Sequence, residues 1–175
     1  MTQRIINRDL LPDNDCFGCG HANDHGLKIE LYLDENTPDT VLGRLNPKHH
    51  QVGFPGIVHG GVLYTAMDCL AAWTANALRP KLRVAWILRS AATKYHRPSP
   101  PGQLIMLSGR VADEPEYGGP ILVHTEARTP DGELIVEGDF KEIPLAPERF
   151  RQVAGLHVIP ENWEAFFDNL ATLGA

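Results

Sequence analysis

Residues 60–78, GGVLYTAMDCLAAWTANAL, limit what this chain can become more than any other stretch. The run opens on two glycines, stops before Pro80 and carries apolar side chains nearly all round, so it predicts a helix. A helix with no polar face has to be buried on most sides, and the rest of the chain must therefore wrap around it. The run contains Asp68, two threonines and an asparagine, and it falls short of the roughly 20 apolar residues a membrane span needs. It reads as a core helix, and no membrane association is expected.

The remaining segments supply strands. Residues 27–33 alternate, with Leu27, Ile29, Leu31 and Leu33 on one face and Lys28, Glu30 and Tyr32 on the other. Residues 41–45 form a second short strand, and the turn cluster 34–39 makes the two a hairpin. Residues 46–59 read as an irregular loop with Pro47, Gly53, Pro55 and Gly56. Four further strands are expected at 84–95, 103–111, 121–129 and 134–143, separated by Pro- and Gly-rich turns. One long apolar helix beside an antiparallel sheet is an α+β layer arrangement. After Pro160, Trp163, Phe166, Phe167, Leu170 and Leu173 recur at helical spacing, which predicts a terminal amphipathic helix docked on the sheet or on a neighbouring subunit. The chain thus divides into a turn-rich segment 1–26, a main domain 27–147 and a helical extension 148–175.

Charge and cysteine content narrow the function. Sixteen Lys and Arg against 22 Asp and Glu give a net charge of −6, the wrong balance for a general nucleic-acid binder. The total hides a segment, residues 69–112, with no acid and seven of the basic residues, among them Arg89, Lys94 and Arg97. A local phosphate site near the Arg97-Pro98 turn and a solvated strand edge both fit that block. Three cysteines make an odd set, and the first ten residues mix charges with apolar groups, so no disulfide framework or export leader is expected and the cytoplasm is the default compartment. Cys16-x-x-Cys19, with His21 and His25 nearby, has the look of a zinc knuckle, but the spacing is not a standard four-ligand set. A turn without metal is expected there. Cys69 is expected in the core.

Two features carry chemistry. His59-Gly60-Gly61 stands at the mouth of the apolar helix, where glycines admit a ligand to the backbone and first-turn N–H groups are unpaired. Such a site suits an anion or a carbonyl oxygen becoming one; a plain loop-to-helix turn is the alternative. Asp68, in the middle of the helix, must be paired, hydrogen-bonded, protonated or open to a cavity, because a buried lone carboxylate costs several kcal/mol. Thr65, one turn back, offers it a hydroxyl. Gly60 and Asp68 lie eight residues apart, about 12 Å of helix at ~1.5 Å per residue. Donor and nucleophile must both reach one reacting group within about 3–3.5 Å. If both act on one substrate they come from two subunits, so a catalytic reading implies a dimer.

The spacing His59-Gly60-Gly61…Asp68 resembles the signature of the hotdog-fold acyl-CoA thioesterases, the phenylacetate-pathway type within the 4-hydroxybenzoyl-CoA thioesterase superfamily. CFGCG…GLK (16–28), FPGIVHGG (54–61) and YHRPSPPG (95–102) are similar to a bacterial branch of that group. The resemblance spans roughly residues 14–147. It implies an antiparallel sheet of five to six strands wrapped around one long central helix, here with an added C-terminal helix, and a homodimer or dimer of dimers. It implies an acyl-CoA substrate, with Asp68 as nucleophile or general base, a Gly60 or Gly61 N–H of the partner as oxyanion donor and His59 orienting the thioester or the turn. No metal or cofactor is implied beyond the coenzyme A of the substrate. Gly53 stands where some members carry Asn, and Leu88 where some carry Ser or Thr; Gln51, His50 and Ser90 are the stand-ins, and Arg97 and Lys94 are the expected contacts for CoA phosphates. Three other readings remain open: an acyl-CoA or acyl-carrier-protein binding module without turnover, a hotdog dehydratase or hydratase, and a structural domain in which Asp68 pairs in the core.

Overall fold

The computed structural model describes residues 4–170 and Leu173. The ends of the expected terminal segments, residues 1–3, 171–172 and 174–175, lie outside the described residues. The central helix α2 runs Gly60–Leu78, as its apolar pattern predicts. Leu63, Ala66, Met67, Leu70, Ala71, Trp73 and Ala75 are buried along it. It packs against β2 (Val41–Leu45), β5 (Ala85–Tyr95), β6 (Ile105–Asp113), β7 (Ile121–Arg128) and β8 (Leu134–Leu145).

With β1 (Glu30–Leu33), these strands form one six-stranded sheet in the order β1-β2-β6-β7-β8-β5. Every neighbouring pair is antiparallel. Side chains on β7 alternate strictly between buried and half-buried, the mark of a sheet with one face on the core. Where β6 passes over α2 the strand backbone lies close against helix side chains: a side chain at Gly109 would meet the Thr74 hydroxyl at 2.4 Å. The predicted hairpin 27–33/41–45 forms, with Glu30 opposite Arg44 and Leu33 opposite Val41. Its first strand starts late because Lys28 takes a left-handed conformation (φ 52°), which interrupts extended pairing.

Three elements were not expected. A short helix, α1 (Ile6–Leu10), lies in the segment read as turns. A small hairpin, β3 (Val52–Phe54) with β4 (Ile57–Val58), lies in the segment read as irregular loop. A third helix, α3 (Pro147–Val153), precedes the expected terminal helix, α4 (Glu161–Asn169). α1 is tied down by the fully buried Asn7, which donates to the carbonyls of Cys19 (2.9 Å) and Ile29 (2.8 Å) and accepts from the Leu31 N–H (2.9 Å). Asn7→Ala leaves those backbone groups unpaired and is expected to lower stability by about 2 kcal/mol. A urea titration reads this as a lower midpoint with an unchanged slope. The aromatic stripe of α4 packs on its own chain: Phe166 meets Trp73 edge-on at 5.6 Å, and Phe167 and Leu170 are buried.

Candidate active site

The two chemical features stand at different places on α2, as their spacing requires. At the N-terminus, His59 is the N-cap, and its Nδ1 accepts from the Gly61 N–H at 2.9 Å. Val62 N–H donates to the His59 carbonyl. Among the described residues nothing accepts from the Gly60 N–H, which makes Gly60, not Gly61, the turn's unused donor. The Gly60 carbonyl accepts from the Tyr95 hydroxyl at 3.0 Å. His59 and Gly60 line a cavity of about 430 Å³ with Leu63, Tyr95, Arg97 and Ser99.

Further along the helix, Asp68 opens into a separate apolar cavity of about 350 Å³, walled by Ala72, Trp73, Trp86, Ile87, Leu88 and Phe166, with the three cysteines at one side. Burial, and then the charge of Cys16, lift the Asp68 carboxyl to about 6. No hydrogen bond or ion pair to Asp68 is present among the described residues. The Thr65 hydroxyl, which the sequence offered to it, donates instead to the Gly61 carbonyl at 2.8 Å. Among the described residues Asp68 has no Arg or His partner, so the structural core-pair reading finds no support here.

The other candidate residues are spread out. His50 and Gln51 line a third, more polar cavity of about 800 Å³ with Lys28, Arg44 and Lys48, away from Asp68. Gln51 is engaged locally, its Oε1 accepting from the Lys48 N–H at 2.8 Å. Ser90 and Lys94 are exposed on β5, Ser90 just past a bulge that follows Leu88. Arg97 is ion-paired to Glu133, Arg79 to Glu114 and Arg83 to Asp168, so three of the block's seven basic residues are compensated by acids from other elements.

One residue at this site was missed. Glu142 on β8 lies opposite Leu88 on β5 and Ile121 on β7, and it is fully buried. Neither carboxyl oxygen has a hydrogen-bond partner. Burial, and then the charge of Asp68, push it up to about 8, so it holds its proton at neutral pH. The signal was in the sequence: Gly138, Phe140 and Glu142 follow the strand alternation onto the core face.

A long helix wrapped by an antiparallel sheet, with a Gly-Gly turn at its mouth and one acid along it, is the hotdog fold, and residues 55–113, which hold both features, match the thioesterase superfamily model. The resemblance read from the sequence therefore stands for the fold, and residues 55–113 carry the likeness to the superfamily. No curated protein matches the chain. Among solved structures, it is similar to a thioesterase superfamily protein (25% identity, TM-score 0.64, covering 82% of this chain and 68% of that one). It is also similar to the E. coli PaaI protein from the phenylacetic acid degradation operon (15% identity, TM-score 0.59, covering 69% and 81%). A third is a hypothetical thioesterase from Streptococcus pneumoniae solved with coenzyme A (12% identity, TM-score 0.58, covering 67% and 86%). No helix among the described residues is long and apolar enough to cross a membrane.

Proposed function

We propose that this protein hydrolyses an acyl-CoA thioester with an apolar acyl group. The observation that carries the reading is the unpaired Asp68 carboxylate opening into an apolar cavity. Asp68 either takes a proton from the attacking water or itself attacks the carbonyl carbon. The C–S bond then breaks, and the CoA sulfur leaves as a thiolate that takes up a proton. On the general-base route the water oxygen is already in the acid product; on the nucleophilic route a water then hydrolyses the Asp68–acyl anhydride and frees the carboxylate. The oxyanion needs a donor that Asp68's own chain cannot bring to the same carbonyl, and the unused Gly60 N–H of a second copy supplies it.

The sheet favours such a pairing. β5 is an eleven-residue edge strand beside α2, with Arg89, Ser90, Ala92 and Lys94 exposed, and a long open edge is a template for a second copy. Lys94 and Arg97, with His50 and Gln51 over the cavity that holds Lys28, Arg44 and Lys48, are the proposed contacts for the CoA portion. The coenzyme-A-bound pneumococcal structure of the same fold supports that ligand class. A reducing cytoplasm suits the three free cysteines.

The test is release of free thiol from a panel of aromatic and aliphatic acyl-CoAs. Gly60→Pro removes the proposed donor at a helix position that tolerates proline and follows an extended residue, His59 (φ −61°, ψ 132°). It is expected to lower kcat by about 100-fold with the fold kept. Tight CoA-ester binding by a wild type that releases no thiol would instead make the protein a binding module.

A further inference from the structure

The three cysteines of the chain converge. Cys16 and Cys19 come from the N-terminal loop and Cys69 from α2, and their sulfurs all lie within 4.8 Å of one another. Cys16 Sγ and Cys69 Sγ are 3.9 Å apart. Three sulfurs at a metal–sulfur distance of about 2.3 Å stand about 3.8 Å apart in a tetrahedral site and about 4.0 Å apart in a trigonal one. The Cys16–Cys69 spacing falls between these values, and the other two pairs lie within 4.8 Å. A disulfide would need the same two sulfurs to close to about 2.05 Å.

The surroundings hold the loop in this pose. Gly18 lies directly over the third sulfur, where a side chain would meet Cys69 Sγ at 2.4 Å and Thr65 at 2.9 Å. The loop is pinned to the start of the sheet by Leu27 N–H to the Phe17 carbonyl (2.8 Å) and Ile29 N–H to the Gly18 carbonyl (3.1 Å). N–H groups are aimed at sulfur, Trp73 Nε1 donating to Cys19 Sγ at 3.3 Å and Asn14 Nδ2 lying 3.7 Å from it. Outer-shell donors of this kind orient and tune thiolate ligands.

We propose that Cys16, Cys19 and Cys69 form a three-thiolate site for a thiophilic d10 cation of the Cu(I) or Zn(II) class. Each thiol gives up its proton as its sulfur binds the ion. Cys16 is only half-buried and lines the Asp68 cavity with the other two sulfurs, so a fourth position faces that cavity. Cu(I) is satisfied by three sulfurs, whereas Zn(II) takes a fourth, exogenous ligand there. The thioester chemistry proposed above uses no metal, and this site is inferred independently of it.

The experiment is an anaerobic titration of the reduced full chain with Cd(II), a spectroscopic probe of thiolate ligation, followed by Zn(II) and Cu(I) in competition with a chromophoric chelator. One equivalent of Cd(II) is expected to bind with the charge-transfer intensity of three sulfurs. Cys16→Ser and Cys69→Ser are each expected to show one sulfur fewer and at least about 100-fold weaker binding. Cu(I) is expected to bind more tightly than Zn(II). Because Cys69 variants touch the core, the wild type supplies a second readout: metal should block alkylation of all three cysteines together. Alkylation of Cys16 at an unchanged rate in the presence of metal, or a Cd(II) band that survives Cys69→Ser intact, overturns the proposal.

Discussion

Asp68→Asn is expected to lower kcat/KM for acyl-CoA hydrolysis by about 1,000-fold, with circular dichroism and melting showing a folded protein. The size follows from removing the group proposed to activate water or attack the thioester, while the amide keeps its shape and relieves an unfavourable burial. The pH profile carries the same information. The wild-type rate should rise with pH through about 6, as the Asp68 carboxyl loses the proton that burial makes it keep, and level off above that point. The Asn variant should lack this limb. A wild-type rate that is flat through that range would remove Asp68 from the catalytic role. The pairing of subunits can be read with the same variant. Mixed with Gly60→Pro and re-associated, it should recover about a quarter of wild-type activity, since half the dimers are mixed and each holds one intact site. No recovery would place donor and acid in the same chain.

Glu142→Gln is expected to remove most of the pH dependence of stability between about pH 5 and about pH 8. Unfolded, Glu142 titrates at its ordinary 4.5; folded, burial and Asp68 raise it to about 8. Between those values the native chain holds a proton that the unfolded chain gives up. The native state's advantage is therefore complete below about pH 4.5 and is lost as pH rises through about 8. At 1.36 kcal/mol per unit, this shift amounts to at most about 4–5 kcal/mol. The raised Asp68 carboxyl adds a smaller effect of the same sign. Urea titrations at several pH values should show the wild type weakening toward alkaline pH and the Gln variant nearly flat. Equal slopes for both proteins would show that Glu142 is not the titrating group.

The main helix, the hairpin before it and the four later strands were legible because each rests on periodic patterns that neighbouring residues share. The missed elements have local causes. α1 is five residues long and is held by one asparagine reaching residues twelve and more positions away, a contact that leaves no trace in sequence periodicity. Lys28 adopts a left-handed conformation that nothing in a leucine-isoleucine alternation announces. Within the candidate site, Asp68 stood out as a charge in an apolar helix, and the turn at 59–61 stood out by its glycines. Which turn N–H is unused depended on where the His59 ring points, a tertiary fact.

The apolar run from Gly60 to Leu78 was enough by itself to require a buried helix, because that surface must leave water, and the period-two segments on either side supplied the strands that cover it. It was also enough to separate Asp68 from the helix mouth, because helical rise is fixed. Tertiary structure alone decided that Asp68 has no partner among the described residues, that Glu142 stands unpaired among them near it, and that the sulfur of Cys69 meets those of Cys16 and Cys19. Each of these is a meeting between distant segments, and proximity of that kind is set by how the sheet curls over the helix rather than by spacing along the chain.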